Sequence, residues 1–364
     1  MKEEARSLAG GTDFTTIQVV GSNGKGSVVH YLGLILSELS NEVVSLVSPH
    51  FVQPGERIKI NNRPLPEEKF VQLLERAPRR WLEEFTPFEI FFLLALQVTG
   101  ERNPDYLLLE AGMGGRWDAT SAMAADITVL TAVEREHTEF LGETRREILE
   151  EKTAQVPENS VLFAPSFSGD CEGYLSNEIS KRSLDFQPLE PVPDADEYNR
   201  RIACRVAGYL EPGRGDRIER ASRESPLPPG REEKVEVENR KFILDVAHTP
   251  AAVSQLSRRM AADDSPGAQV VIFGCLEGKK FKEMLQELLE FSPPAEFIFT
   301  APPSPRALDP AVLKEVVPPR VNVYLAEEPP EALQRAWEIS APGDQLVVTG
   351  SFALIGWFKQ QWKS

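Results

Sequence analysis

Thr16-Ile17-Gln18-Val19-Val20-Gly21-Ser22-Asn23-Gly24-Lys25-Gly26-Ser27 is the stretch on which the reading of this chain turns. A β-branched run leads into a loop of small residues, and Ser27 to Leu39 then carries apolar residues near helical spacing, so the order is strand, loop, helix. Glycines let backbone N–H groups turn inward around a phosphate, and the helix N-terminus adds positive potential. Lys25 supplies a cation for terminal phosphate oxygens and Ser27 a hydroxyl for Mg²⁺. The stretch predicts a nucleotide triphosphate cradle formed by Asn23, Gly24, Lys25, Gly26 and Ser27. Its spacing departs from the common GxxxxGK[ST], because Val19 occupies the position five before Gly24.

Outward from this unit, strands are expected at Val43 to Val47, Asp105 to Glu110 and Asp126 to Thr131. Helical patterns cover Glu67 to Glu84 and Phe88 to Val98. Short continuous apolar strands alternating with helices imply a doubly wound α/β domain. Phe186 to Asp196, Pro-rich and acidic, reads as loop, and Glu197 to Leu210 returns to helix. Ser222 to Gly230, rich in proline, is the best linker. Beyond it, Phe242 to Leu244, Val270 to Phe273, Phe297 to Thr300, Val321 to Tyr324 and Gln345 to Thr349 read as strands of a second, smaller α/β domain. The boundary is set at residues 1–226 and 227–364.

With 364 residues the chain can bury two cores. Its 40 Lys and Arg against 56 Asp and Glu give a net charge of −16, which disfavours a nucleic-acid or anionic-membrane surface. Compact anions held by a few N–H groups and one lysine remain compatible with that balance. The longest apolar run, Ile90 to Leu96, falls short of the ~20 residues needed to span a bilayer. The N-terminus lacks a secretory pattern, so a cytoplasmic location is expected. Cys171, Cys204 and Cys275 have no metal or CxxC spacing and read as reduced thiols.

Glu110 ends a buried strand just before a glycine-rich turn, which places its carboxylate at the ligand crevice of an open α/β sheet. Hard oxygen ligands suit Mg²⁺, and Glu110 with Ser27 makes a plausible set. Asp245 and His248 follow Phe242 to Leu244 at the corresponding edge of the second sheet. Arg306 and Lys279-Lys280 balance evenly between ligand contact and solvated surface.

Many short motifs occur in one order. Ser48-Pro49-His50-Phe51 and Glu56-Arg57-Ile58-Lys59-Ile60-Asn61 are followed by Thr86-Pro87-Phe88-Glu89 and then Leu109-Glu110-Ala111-Gly112-Met113-Gly114-Gly115-Arg116-Trp117-Asp118-Ala119-Thr120. His137-Thr138-Glu139-Phe140-Leu141-Gly142, Glu151-Lys152, Pro229-Gly230-Arg231, Asp245-Val246-Ala247-His248-Thr249-Pro250, Pro305-Arg306-Ala307-Leu308 and Gly350-Ser351 complete the set. From about residue 17 to 356 the chain resembles the folylpolyglutamate synthase and dihydrofolate synthase branch of the Mur ligase superfamily. The resemblance implies a P-loop-containing, doubly wound central domain followed by a smaller Rossmann-like α/β domain. It implies an ATP-dependent ligase that joins a folate or dihydropteroate carboxylate to L-glutamate through an acyl phosphate, as a monomer. A Mur-type ligase acting on another acid, or a non-catalytic nucleotide-binding homologue, are the alternatives.

The same resemblance implies that Glu110 and Ser27 bind Mg²⁺, and that His137 and a carbamylated Lys152 serve a second ion. It places Ser48, His50, Phe88 and Glu136 near the acid substrate. Arg231 is implied to reach nucleotide phosphates, Asp245 a ribose, and His248 the nucleotide or the incoming amino acid. Lys25, His137, Lys152 and His248 are the implied catalytic set. Departures from the family pattern are Glu136 in place of Asp, Thr249 in place of Asn, Thr153-Ala154-Gln155 after Lys152, and only about sixteen residues before the first strand.

Overall fold

A computed structural model describes residues 1–10, 13–262, 269–291 and 296–362. The chain divides into two compact units, Met1–Pro226 and Leu227–Ser364. The strands of the first are β1 (Thr15–Val20), β2 (Val43–Leu46), β3 (Ile58–Ile60), β4 (Arg63–Pro64), β5 (Tyr106–Glu110), β6 (Ile127–Leu130), β7 (Val161–Pro165) and β8 (Asp185–Leu189). They hydrogen-bond in the order β4-β3-β2-β5-β1-β6-β7-β8. Pairing is parallel from β2 through β8 and antiparallel at β2–β3 and β3–β4. β1 lies between β5 and β6, where the direction of winding reverses, and ligands of such sheets collect beyond the strand ends at that reversal.

Register fixes what meets there. Val19 lies opposite Glu110 on β5, and Val20 opposite Leu130 on β6. Ile17, Val19 and Val20 are fully buried, because helices cover both faces of the sheet. One face packs Ile17, Val19 and Leu108 against the helices Lys25–Glu38 and Ala195–Leu210. The other packs Leu107 and Leu109 under Pro87–Arg102. Each such aliphatic side chain contributes on the order of 2 kcal/mol by burial.

The second unit holds β9 (Glu233–Val237), β10 (Arg240–Leu244), β11 (Gln269–Phe273), β12 (Glu296–Thr300), β13 (Val323–Ala326) and β14 (Gln345–Thr349), in the order β13-β12-β11-β14-β10-β9. Only β9 is antiparallel among these described strands. Phe273, Phe297, Phe299 and Val347 anchor its core.

Three expectations are corrected. The Phe186 to Asp196 stretch is not loop throughout: β8 runs to Leu189, with Pro188 tolerated because β8 is an edge strand. The single helix over Glu67 to Glu84 is two, Glu67–Arg76 and Arg79–Glu84, since Pro78 forces Ala77 into extended backbone. Helix Gly215–Glu224 occupies the start of the stretch read as linker. The strands β3, β4 and β9 carry too few or too polar residues to stand out in the sequence, whereas β7, Val-Leu-Phe-Ala-Pro, is an apolar run that the sequence reading passed over.

His30 ties the end of the first unit to its sheet. Its Nε2 lies 3.2 Å from the Pro226 carbonyl and its Nδ1 3.2 Å from the Asn62 amide nitrogen. A carbonyl only accepts, so the proton sits on Nε2 and Nδ1 accepts from Asn62. Burial, with Lys59 and then Arg200 adding like charge, holds the imidazole at about 4. The unfolded chain therefore binds the extra proton between about pH 6.5 and 4, and stability present above that window is lost as pH falls through it, by ~3 kcal/mol. Chemical denaturation at about pH 7 and pH 5 is expected to show about 2 kcal/mol of this loss in the wild type and a flattened dependence in His30→Gln.

Candidate active site

The loop between β1 and helix Lys25–Glu38 is held by the segment after β6. Ser22 donates its backbone N–H to the Ala132 carbonyl at 2.9 Å, and its Oγ accepts from the Glu134 N–H at 2.9 Å. Asn23 Nδ2 donates to Glu134 Oε2 at 2.7 Å. Gly21 has φ 146°, and a Cβ there would stand 2.0 Å from Thr131 Oγ1, so no larger residue fits. Gly24, at φ 84°, caps the helix in the left-handed region.

Lys25 Nζ donates to the Gly21 carbonyl at 2.9 Å, across the mouth of its own loop. Glu110 closes the site from β5. The residue is 5% exposed, and a Cβ on Gly26 would meet its two carboxylate oxygens at 3.3 and 3.4 Å. Oε2 accepts the Ser48 N–H at 2.7 Å. Burial pushes the carboxyl up to about 7 against the opposing pull of Lys25, the Ser48 N–H, Lys59 and Arg57. A carboxylate so desolvated at a helix N-terminus, beside the buried hydroxyl-bearing Ser27, fits a hard divalent cation whose other ligands come from phosphate and water. Among the described residues, no group of three or more His, Cys, Asp and Glu side chains is placed to hold a metal alone.

Loops from β2 and β5 line the neighbouring surface. Glu56 accepts the N–H groups of Phe51, Val52 and Gln53, which pins the segment carrying Ser48 and His50. Thr86 and Glu89 form a capping box at the start of Pro87–Arg102, so these motif residues are structural and leave Phe88 against Gly112. Asp118 accepts the N–H groups of Met113 and Thr120 and so shapes the glycine-rich turn after β5. That turn presses on helix Arg145–Thr153: a Cβ on Gly115 would lie 2.5 Å from the Glu151 carbonyl.

Lys152 is 1% exposed, and its Nζ lies 2.9 Å from Glu136 Oε1. Burial lowers its ammonium from the ordinary range and Glu136 opposes that, while Lys25 is close enough to add repulsion. Sequence reasoning assigned Glu136 to the acid substrate and Lys152 to a metal; the structure makes them an ion pair. His137 is exposed, with its backbone in the left-handed region at φ 44° before the short helix Thr138–Leu141. That is strain for a residue with a Cβ, of the kind that collects at functional positions.

In the second unit, Asp245 follows β10, is 5% exposed, and accepts the N–H groups of Ala247 at 2.8 Å and Glu232 at 3.0 Å. Burial raises its carboxyl to about 6, with Arg231 the largest opposing influence; the guanidinium is 3.8 Å away. His248 Nδ1 is 2.8 Å from the Val246 carbonyl, which leaves Nε2 without a proton in the neutral ring. Thr249 Oγ1 accepts the Ala252 N–H, so Thr249 starts the next helix. Arg306 donates to the Glu277 carbonyl, and Lys280 pairs with Glu283.

Two neighbours of the site were not singled out by sequence. Asn199, buried on helix Ala195–Leu210, lies over the loop: a Cβ on Gly24 would stand 2.4 Å from its Oδ1. Arg57 precedes β3 and donates through Nε to His50 Nδ1 at 2.8 Å. A lone amide in a helix gives no signal, whereas Arg57 belongs to a quoted motif.

Residues 19–161 match the Mur ligase middle domain and residues 230–352 the Mur ligase glutamate ligase domain. The dihydrofolate synthase/folylpolyglutamate synthase of Escherichia coli is 30% identical over 290 residues, covering 72% of this chain and 67% of that one. The chain belongs to the folylpolyglutamate synthase/dihydrofolate synthase family. A Bacillus subtilis member is 24% identical over 95% of this chain and 90% of its own. In fold, the chain matches E. coli FolC in complex with ADP, without folate substrate, at TM-score 0.84 and 25% identity, covering 99% of this chain and 92% of that one. Mycobacterium tuberculosis folylpolyglutamate synthase complexed with ADP has the same fold, at TM-score 0.88 and 21% identity over 100% and 94%.

Breaking the Lys152–Glu136 pair leaves a buried charge alone, so Glu136→Gln is expected to destabilise the first unit by on the order of 3 kcal/mol. Thermal denaturation should show much of that loss recovered in Glu136→Leu/Lys152→Met.

Proposed function

We propose that this chain is an ATP-dependent ligase that forms an amide between the carboxylate of a folate-type acid and the amine of L-glutamate, with Mg²⁺ as its divalent cation. The observation that carries the reading is the buried Glu110 carboxylate set against Gly26 at the start of the phosphate-loop helix, with Lys25 beside it. Within this family, that combination suits a bound triphosphate whose terminal group is to be transferred.

A carboxylate is a poor electrophile. Transfer of the ATP γ-phosphoryl group to one of its oxygens gives an acyl phosphate and ADP. The amine of L-glutamate then attacks the acyl carbon, the C–O bond to phosphate breaks, phosphate leaves with the electron pair, and the nitrogen loses a proton to complete the amide. Backbone N–H groups of residues 23–26 bind the phosphates, and Lys25 exchanges the Gly21 carbonyl for phosphate oxygens. Glu110 and Ser27 are the residues assigned to hold Mg²⁺, which when bound offsets charge on the transferred phosphoryl group.

Asn199 is assigned to nucleotide contact from above Gly24. Ser48, His50 and Phe88 line the surface assigned to the acid. Arg231 and Asp245 are assigned to the nucleotide, and His248 to the nucleotide or the amino acid. His137 and Lys152 are held as candidates for a second ion; Lys152 could serve only after leaving Glu136. The three free cysteines suit a reducing, cytoplasmic setting.

The test is phosphate release with ATP, Mg²⁺, L-glutamate and a panel of dihydropteroate, tetrahydrofolate and unrelated carboxylic acids. Turnover with one of the two folate-type acids is expected, and turnover only with an unrelated acid would move the chain to another substrate. Lys25→Ala is expected to lower turnover at least ~100-fold with the melting temperature little changed, since Lys25 makes a single, half-buried hydrogen bond to its own loop. Asn199→Ala should raise the KM for ATP and leave the KM for the acid unchanged.

A further inference from the structure

Three cations, Lys25, Lys59 and Arg57, bear on the Glu110 carboxylate, and the one further carboxylate that acts on Lys59, Glu56, is occupied by the N–H groups of Phe51, Val52 and Gln53. Lys25 is committed to the loop, and Lys59 lies on β3 opposite Ser45, close enough to His30 to depress it. Arg57 differs from both. Its backbone is locked beside the end of β2, where the Val47 N–H donates to its carbonyl at 2.8 Å. Its guanidinium lies over the Phe91 ring, 4.6 Å from the centroid, and Nε donates to His50 Nδ1.

These contacts use one N–H of a planar five-donor fork and leave its two terminal amino groups, four N–H donors, for something else. Among the described residues, no carboxylate lies within ion-pair distance of Arg57, although the side chain is half-buried. A half-buried guanidinium, already oriented by an aromatic face and an imidazole, loses little further freedom when it takes a bidentate anion. His50 is thereby a positioning residue: its Nδ1 is spent on Arg57 and cannot also meet the substrate.

We infer that Arg57 binds the carboxylate of the acid substrate, its guanidinium fork holding that group beside Glu110, so that the site selects an acid over its neutral analogue. The inference rests on the ligase reading above and deepens it. Arg57 carries no step of its own; it brings the carboxylate oxygen to the phosphoryl donor and offsets its charge until transfer.

Calorimetric titration of the ADP-loaded full chain with dihydropteroate, and with the same molecule carrying a primary carboxamide, tests it. The wild type is expected to prefer the acid by about tenfold or more, the range of one charge-assisted hydrogen-bonding pair. Arg57→Met, which removes the guanidinium and keeps an unbranched side chain of similar reach, should bring the two ligands near parity by weakening the acid alone, and Arg57→Lys should restore part of the preference. ADP affinity serves as the folding control and should be the same in all three. An unchanged acid-to-amide ratio in Arg57→Met, or equal weakening of both ligands, would overturn the assignment and leave Arg57 a structural residue. A wild type that binds ADP but neither ligand would overturn the folate-type reading and this assignment with it.

Discussion

A carboxylate buried at the start of a helix is the constraint around which the first unit is organised. Glu110 can be desolvated there only because the peptide dipoles of Lys25–Glu38, the Ser48 N–H and three nearby cations oppose the penalty. Burial still wins, and the carboxyl is held near neutrality. A divalent cation would remove that tension, which is why the arrangement reads as a site rather than as an incidental acid in the core.

Much of the surrounding sequence maintains this one juxtaposition. Gly21 has no space for a side chain against Thr131, and Gly26 admits Glu110 to contact distance. Asp118 and Glu56, which carry no chemistry themselves, tie down the turns after β5 and β2 by accepting backbone N–H groups. The capping box of Thr86 and Glu89 fixes the helix that presents Phe88. Motif residues here divide into those that face ligand and those that hold them in place, and the two kinds look alike in sequence.

The central strands were legible because burial on both faces leaves continuous apolar runs, as in β1 and β5. The phosphate loop was legible because few purposes besides anion binding need glycine, lysine and serine at a strand-to-helix turn. β8 was not, since an edge strand tolerates the proline and acidic residues that mark loops. The Lys152–Glu136 pair was equally hidden: sixteen residues separate the partners, and only the folded chain brings the buried ammonium to its counter-ion. Asn199 lies far along the chain from the loop that it covers, so spacing could not reveal it. Reading Arg57 as part of a motif, without its three-dimensional neighbours, hid the fact that its fork is unspent.

The central claim is that Glu110 and the phosphate loop together hold a metal-bound triphosphate. A crystal structure of the chain with a non-hydrolysable ATP analogue and Mn²⁺, phased for the anomalous signal of manganese, tests it most directly. The account predicts a manganese peak at coordination distance from a Glu110 oxygen and the Ser27 hydroxyl, with Lys25 turned from the Gly21 carbonyl onto phosphate. Nucleotide bound with Lys25 still on Gly21, or manganese ligated elsewhere while Glu110 stays bonded only to the Ser48 N–H, would contradict it.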